Sequence, residues 1–244
     1  MWTIREIKIR YKQSFLGGAW AILQPLSLMV VFSVIFTWFI QLPTEGNPYP
    51  IFSYTALLPW TFFATSISFG VPSLVGNMNL VTKIYFPREI IPISVVIASF
   101  VDFLVASTVY VGMLFFYKIQ LYPTLFILPI IILIQIILTF GIIFIGSTLN
   151  VFYRDIRFAV PLAIQLWFYA SPVIYPISVV PEELLSLYML NPMAVLIDSY
   201  RRVILEGQTP QWQYLGLSAL ISIGIFILSY RFFKRMEMRF ADLI

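Results

Sequence analysis

The sequence has no cysteine and no histidine among its 244 residues. Their absence excludes disulfides, thiol nucleophiles, histidine proton relays and nearly every zinc or haem site. No lysine is followed by serine or threonine, so the chain also lacks the P-loop that binds nucleotide phosphates. Signatures of hydrolases and kinases are missing too. If the chain takes part in an ATP-driven process, another chain must bind the ATP.

Charged residues are scarce as well. They make up 11% of the chain, whereas 60% of the residues are hydrophobic and the mean hydropathy is +0.92. A water-soluble domain cannot cover so much apolar surface, so an integral membrane protein is predicted. A helix crosses the hydrocarbon core with about 20 apolar residues. Six segments approach this length, and none alternates as a barrel strand would: 19–41, 51–76, 90–117, 123–150, 159–175 and 214–230.

The distribution of cations predicts the orientation of these spans. With six spans, both termini lie on one side together with twelve lysines and arginines, and the other side holds Lys118, Arg201 and Arg202. This bias predicts that both termini are cytoplasmic. The predicted fold is an all-α polytopic membrane domain over residues 1–244. Its parts are an interface helix and hinge (1–18), spans one to five (19–175), two outer helices (176–213), span six (214–230) and a cytoplasmic tail (231–244).

The residues before the first span favour an amphipathic helix. Ile4, Ile7 and Tyr11 recur at helical spacing beside basic residues, which suits a helix lying in the membrane interface. An ordinary basic flank explains the pattern equally well. Gly17 and Gly18 follow and indicate a hinge, because paired glycines weaken a helix.

Two predicted cytoplasmic connections combine aromatic and charged residues. They are residues 77–89, between the second and third spans, and residues 150–157, between the fourth and fifth. Exposed aromatics beside charges are typical of a docking surface. Anchoring at the lipid headgroups explains the first connection as well, and a plain polar turn explains the second.

Residues 176–213 form the one long connection without a span. Pro181 begins a short helix, and a second helix runs from Pro192 toward Glu206 with Gly207 as its stop. The second helix has an apolar stripe that includes Met193, Ile197 and Tyr200. We expect two short amphipathic helices at the outer surface, which cover a pathway, dip into the bilayer or only cap the bundle.

Aromatic residues make up 18% of the chain and cluster within the first, second and fifth spans. Sugar rings stack on aromatic faces, so these spans are candidates for a surface along which a glycan slides. Taken alone, aromatic stripes favour ordinary core packing. The candidate lining residues are Phe32, Phe36, Trp38, Phe39, Tyr54, Trp60, Phe62, Trp167, Phe168 and Tyr175.

Asp102 is an acidic residue within the third predicted span. An ionisable group in a span is costly and is a functional hypothesis by default. Its own span holds no basic or histidine partner that would complete a proton relay. A structural role is therefore predicted in preference to ion coupling.

Several motifs resemble those of type-2 ABC-transporter permeases that export bacterial polysaccharides. The run from Arg10 to Leu26 is similar to the family's opening motif, in which R-Y-K/R-x-S-x-L-G leads to a tryptophan and a proline before the first span. Further similar stretches follow in order along the whole chain: Tyr85 to Glu89, Phe152 to Arg157, Ser171 to Pro176 and Leu190 to Ala194.

The resemblance implies a homodimer of six-span subunits paired with two copies of a separate ATPase. ATP and magnesium would then bind the partner, and this chain would hold no cofactor or metal. The roles carried over are contact with the ATPase, the cytoplasmic entrance and the outer gate. The residues that would contact the ATPase are Lys83, Ile84, Tyr85, Phe86, Arg88, Glu89, Tyr153, Arg154 and Asp155. Those at the cytoplasmic entrance would be Arg10, Tyr11, Phe15, Leu16 and Gly17. Those of the outer gate would be Met193, Ile197 and Tyr200.

The function implied is ATP-driven export of a lipid-linked polysaccharide, such as an O-antigen, across the bacterial inner membrane. The basic interface helix would attract the pyrophosphate of the carrier lipid. Two alternatives stay open: an exporter of teichoic acid or small drugs with the same architecture, and a proton-coupled carrier that works through Asp102.

Overall fold

The structure is a computed structural model that describes residues 2–12, 14–40, 42–44, 46–83 and 86–240. These residues form helices and turns with no strand among them, which confirms the all-α prediction. The helices are α1 Trp2–Tyr11, α2 Trp20–Val34, α3 Tyr49–Gly70, α4 Ser73–Gly76, α5 Met78–Lys83, α6 Ile90–Phe116, α7 Leu128–Phe152, α8 Ile156–Tyr169, α9 Glu182–Tyr188, α10 Pro192–Arg201 and α11 Trp212–Glu237. Short 3₁₀ segments are Gly17–Ala19, Pro123–Ile127 and Ile177–Val179, and π segments are Ile35–Phe39 and Arg202–Glu206.

Four helical stretches in the described chain are long and apolar enough to cross a membrane. They are Gly17–Phe39, Ile90–Phe116, Pro123–Phe152 and Trp212–Glu237. The second predicted span corresponds to α3, which has 22 residues but includes serines, threonines and prolines. The fifth corresponds to α8, which has only 14 residues. The protein is therefore an integral membrane protein, and six complete spans stay a prediction.

Helix α3 lies at the centre of the bundle. It packs against α2, α6, α7, α8 and α10, and most of its residues are buried. The hydroxyls along this helix accept and donate within the bundle: Thr55 Oγ1 donates to the Ile51 carbonyl at 2.7 Å and lies 2.6 Å from Tyr110 Oη on α6. Such internal hydrogen bonds satisfy polar groups that water cannot reach.

Helices α7 and α11 form the most extensive helix pair of the bundle. Gly141 lies where they cross, and a Cβ atom there would be 2.9 Å from Ile225 Cγ2 and 3.0 Å from the Phe226 backbone nitrogen. Membrane helices associate through close packing at small residues, so the absence of a side chain at Gly141 allows α7 and α11 to approach each other closely.

Several helix ends differ from prediction, including those of α3, α8 and α11, and the last two have a clear physical cause. Helix α8 ends at Tyr169, before the predicted end at Tyr175, because Pro172 disfavours helical backbone at the residue preceding it. Helix α11 continues beyond the predicted end at Tyr230 to Glu237, with Lys234 and Arg235 in its last turn, where cations are favourable.

The outer segment also differs from its predicted placement. Helix α10 is not an amphipathic surface helix, because all ten of its residues are buried among α3, α7 and α11. Its predicted stop is confirmed: Gly207 has a φ of 67°, the left-handed conformation that ends helices. Helix α9 begins at Glu182, directly after Pro181, and remains largely exposed.

Candidate functional site

Aromatic side chains of α2, of the π segment that continues it, of α3 and of α8 form one continuous cluster. The ring centroids of Phe36 and Phe32 are 6.2 Å apart, those of Phe32 and Phe168 are 6.0 Å apart, and those of Phe168 and Trp60 are 5.5 Å apart. Trp167 joins through Phe63 on α3, with a centroid distance of 5.1 Å. Five of the predicted lining residues are thus brought together. Phe32, Phe36, Trp167 and Phe168 keep part of their surface exposed, whereas Trp60 is buried.

Other predicted lining residues lie elsewhere. Tyr54 and Phe62 point from α3 toward α6, where Tyr54 stacks on Tyr110 and Phe62 contacts Phe100 and Phe103. Both are buried, because they occupy the face of α3 opposite α8. Trp38 and Phe39 are exposed at the end of the first membrane stretch. The Tyr175 hydroxyl donates to the Tyr169 carbonyl and lies 3.0 Å from Tyr188 Oη.

Helices α2 and α8 leave broad apolar faces uncovered in the single chain. Pro25 is the one buried residue of α2, and α8 has none. The exposed side chains on these faces include Val30, Val31 and Val34 on α2 and Phe158, Leu162 and Leu166 on α8. Uncovered apolar surface of this extent marks contact with lipid or another subunit.

The predicted entrance residues divide into two groups. Phe15 and Leu16 are exposed, and Gly17 has a φ of 52°, a left-handed conformation that favours glycine. Arg10 and Tyr11 instead face the bundle, on a cavity of about 210 Å³ between α1, α2, α3 and α6. The Arg10 guanidinium pairs with the Asp102 carboxylate and donates to Ser99 Oγ at 3.3 Å.

The pairing of Arg10 changes the predicted role of α1. The charge of Arg10 is balanced by Asp102, so the exposed cations are Arg5 and Lys8 of this helix and Lys12 directly after it. Burial, assisted by a hydrogen bond to Asp102, raises the pKa of Tyr11 to about 12. The Tyr11 hydroxyl therefore stays protonated at neutral pH and donates a hydrogen bond to the Asp102 carboxylate.

Described residues of the connection between α5 and α6 contact the first helix, α1, and the last helix, α11. The Phe86 ring stacks on Trp2 of α1 at 5.3 Å, and Glu89 accepts from Lys234 Nζ of α11 at 2.7 Å. Lys83 is the last residue of α5. Ile84 and Tyr85, two predicted contacts of the ATPase, lie outside the described residues.

The connection between α7 and α8 presents its side chains to solvent. Tyr153, Arg154 and Asp155 are all exposed, as contact with another protein requires. Phe152, directly before them, faces inward and contacts the Phe240 ring at 6.1 Å. The two connections are thus each packed against the C-terminal end of the described chain.

The predicted gate residues lie inside the bundle. Met193, Ile197 and Tyr200 on α10 are buried, and Tyr200 Oη donates to Gln135 Oε1 at 2.8 Å. Gln135 Nε2 in turn donates to the Pro59 carbonyl of α3 at 2.7 Å. These two hydrogen bonds connect α10 to α7 and α7 to α3.

Two polar residues near α10 hold the turn that follows α8. Asn191 accepts from Trp167 Nε1 at 2.8 Å, and its amide donates to the Ala170 carbonyl and to Ser171 Oγ. Arg201 is buried and donates to the carbonyls of three residues of that turn, Pro172, Val173 and Tyr175, while lying 3.7 Å from the centre of the Phe52 ring.

Comparisons with known proteins decide the family. The model for ABC-2 type transporters matches residues 1–205. The chain belongs to the ABC-2 type transporter family. An "O-antigen export system permease protein RfbA" of Klebsiella pneumoniae is 33% identical over 99% of this chain and 93% of the relative. Another protein of that name, from Myxococcus xanthus, is 32% identical over 98% and 92% of the respective chains.

A more distant relative is the "Polysialic acid transport protein KpsM" of Escherichia coli. It is 23% identical over 93% of this chain and 90% of the relative. Membership in the ABC-2 family identifies this chain as a membrane subunit of an ABC transporter, a class in which an ATPase partner supplies the energy.

The polar residues around the turn after α8 of this ABC-2 chain were missed by sequence reasoning. Arg201 was assigned only as an outer cation, although a basic residue on a largely apolar helix is a signal of internal pairing. The side chain of Asn191 caps α10 by accepting from the Met193 backbone nitrogen at 3.1 Å. An asparagine directly before a helix-starting proline carries that signal.

Proposed function

We propose that this chain is the permease subunit of an ATP-driven exporter that moves a lipid-linked, O-antigen-like polysaccharide out of the cytoplasm. In this proposal two copies of the chain form a homodimer in the inner membrane, with six spans each and both termini cytoplasmic. Two copies of a separate ATPase bind the dimer and hold ATP and magnesium. The observation that carries the proposal is the similarity to O-antigen export permeases over nearly the whole chain.

The uncovered faces of α2 and α8 support the homodimer. A monomer in lipid needs no partner for an apolar face, but these helices also carry the partly exposed aromatic cluster at Phe32, Phe36 and Phe168. Two such faces in a symmetric pair would enclose a path with aromatic walls. Sugar rings can slide along such walls, because stacking contacts are weak and non-directional.

The placement of side chains narrows the proposed path. Tyr54, Trp60 and Phe62 are buried within the chain and would support the path from behind, without touching the glycan. Phe32, Phe36, Trp167 and Phe168 would line it, with Trp38 and Phe39 at the outer end. Met193, Ile197 and Tyr200 would act as a gate only by moving α10, because they are buried.

The exposed Tyr153, Arg154 and Asp155 support ATPase contact at the connection between α7 and α8. The other connection would contribute the segment from Lys83 to Glu89. The exposed cations in and directly after α1, Arg5, Lys8 and Lys12, would attract the phosphates of the carrier lipid at the membrane surface.

Deletion and complementation in the source bacterium test the function. A strain lacking this chain should retain lipid-linked O-antigen inside the cell, and the wild-type gene should restore surface polysaccharide, detected by cell-surface immunolabelling. Affinity purification of the chain should recover an ATPase. Normal surface polysaccharide in the deletion strain would contradict the proposal.

A pair of substitutions tests the aromatic path. Phe36→Ala should lower export several-fold at unchanged protein abundance and ATPase recovery, because it interrupts the cluster between Phe32 and Tyr49. Phe115→Ala, at an exposed aromatic on α6 away from α2 and α8, is the matched control. Equal export by the two variants would count against the path.

If the chain exports a different polymer, such as teichoic acid, the deletion strain should retain that polymer inside the cell in place of O-antigen. The proton-coupled alternative depends on Asp102. Because Asp102 forms an ion pair with Arg10, a structural function is favoured for it. The observations therefore favour the polysaccharide exporter.

A further inference from the structure

The C-terminal end of α11 contacts both cytoplasmic connections of the chain. Lys234 and Glu237 lie beside the residues that precede α6, and Phe240 lies beside the end of α7. These three residues, which we name the C-terminal clamp, come from the last described turns of the sequence. The two connections are separated by more than sixty residues in the sequence. Because the clamp contacts both, it links them directly in space.

The clamp holds the first connection through side-chain and backbone groups. Lys234 Nζ lies 2.7 Å from Glu89 Oε2 and 3.0 Å from Glu237 Oε2. The Arg88 backbone nitrogen donates to Glu237 Oε1 at 3.1 Å, and the Arg88 guanidinium donates to the Glu237 carbonyl. Because Glu237 binds both Lys234 and the backbone of Arg88, it fixes the connection against the helix end.

The clamp holds the second connection through aromatic packing. Phe240 is fully buried between Phe233 of α11 and Phe152, with ring centroids 5.7 Å and 6.1 Å away. The Arg88 guanidinium lies 5.9 Å from the centre of the same ring. Phe240 thus contacts groups from both connections, and Phe152 immediately precedes the exposed Tyr153.

We propose that the C-terminal clamp positions the two ATPase-contacting connections relative to each other and passes their movement to α11. This inference rests on the proposed function, in which both connections contact the ATPase. Lys234, Glu237 and Phe240 are positioning residues in this view. Movement imposed on Glu89 would pull Lys234, and α11 would transmit it to α7, its principal packing partner.

Stability alone does not account for the charged part of the clamp. The side chain of Lys234 is 37% exposed and those of Glu89 and Glu237 are each 19% exposed. Ion pairs with such access to solvent contribute little to stability, because water screens the charges. Removing the Lys234–Glu89 pair should therefore leave the chain folded and change how its parts move together.

A double-mutant cycle tests the proposal on the complete transporter. We would prepare Lys234→Met, Glu89→Gln and the double variant, with Arg235→Met as the control because Arg235 is exposed on the same helix. Export, ATP hydrolysis, permease abundance and recovery of the ATPase would be measured for each. Lys234→Arg is the conservative variant that keeps the charge.

The expected result is a loss of export per ATP hydrolysed of about threefold or more in each single variant, within the range for directly coupled side chains. The double variant should lose no more than the worse single variant, and Lys234→Arg should stay near wild type. Single variants that match Arg235→Met, or a double variant with the product of both losses, would overturn the clamp. Failure of the wild-type chain to recover any ATPase would instead contradict the proposed function.

Discussion

The ion pair between Arg10 and Asp102 joins α1 to α6, and its loss should destabilise the bundle measurably. The two side chains are 12% and 18% exposed. Arg10 also donates to Ser99 Oγ and lies 4.3 Å from the centre of the Phe69 ring. Replacing Arg10 by methionine keeps an unbranched stem at this position but leaves the Asp102 carboxylate without its cation.

The size of the effect follows from the burial of the pair. Removing one member of a buried ion pair costs about 3–5 kcal/mol, because a buried charge is left uncompensated. The pair borders the cavity of about 210 Å³, which gives Asp102 some access to water, so we expect the lower end, about 3 kcal/mol. For a chain of this size, 1 kcal/mol corresponds to about 2–4 °C, and the expected fall in Tm is about 6–12 °C.

Thermal unfolding of the detergent-purified protein measures this effect. Arg10→Met and Asp102→Leu should each lower Tm, whereas the double variant should recover much of the loss because no unpaired charge remains. Lys12→Met is the control, since Lys12 is an exposed cation on the same segment. The reasoning fails if Arg10→Met unfolds at the same temperature as the control, or if the losses of the single variants add in the double variant.

Three further predictions concern single positions. Gly207→Ala should cost about 1–2 kcal/mol in the free energy of unfolding, because φ is 67° and the new Cβ would lie 2.5 Å from Tyr122 Cγ; an unchanged Tm would contradict it. Arg201→Lys should expose the turn after α8 to added protease, since an ammonium cannot reproduce the planar set of hydrogen bonds to Pro172, Val173 and Tyr175; wild-type cleavage would refute this. The raised pKa of Tyr11 gives stability that is complete below about pH 10 and is lost as pH rises through about 12. Tyr11→Phe should therefore remove part of the alkaline loss of Tm seen in wild type.

The membrane helices and their order could be predicted from the sequence because hydrophobic length is a local property. Helices α6 and α7 begin and end within a few residues of the predicted segments. The stop at Gly207 was also readable, since only glycine adopts left-handed backbone at little cost. The end of α8 was misjudged, because the apolar run continues through the Ser171–Pro176 turn while the helix does not.

The candidate site was only partly readable. Helical spacing placed Phe32 and Phe36 on one face, and that face does meet Phe168. The same spacing could not tell which side of α3 faces α8, so Tyr54 and Phe62 were grouped with residues from which the fold separates them. The direction of a side chain depends on the neighbouring helices, which no local pattern specifies.

The sequence by itself determined the class of the protein: a helical membrane chain without nucleotide-binding or catalytic motifs, whose ordered motifs resemble those of polysaccharide export permeases. The tertiary structure alone decided that Arg10 pairs with Asp102, that α10 is buried, and that Lys234 meets Glu89. Hydrophobic spans arise from the local requirement to satisfy the backbone in lipid. The Arg10–Asp102 and Lys234–Glu89 pairs join residues far apart in the chain, and only the packing of the helices brings them together.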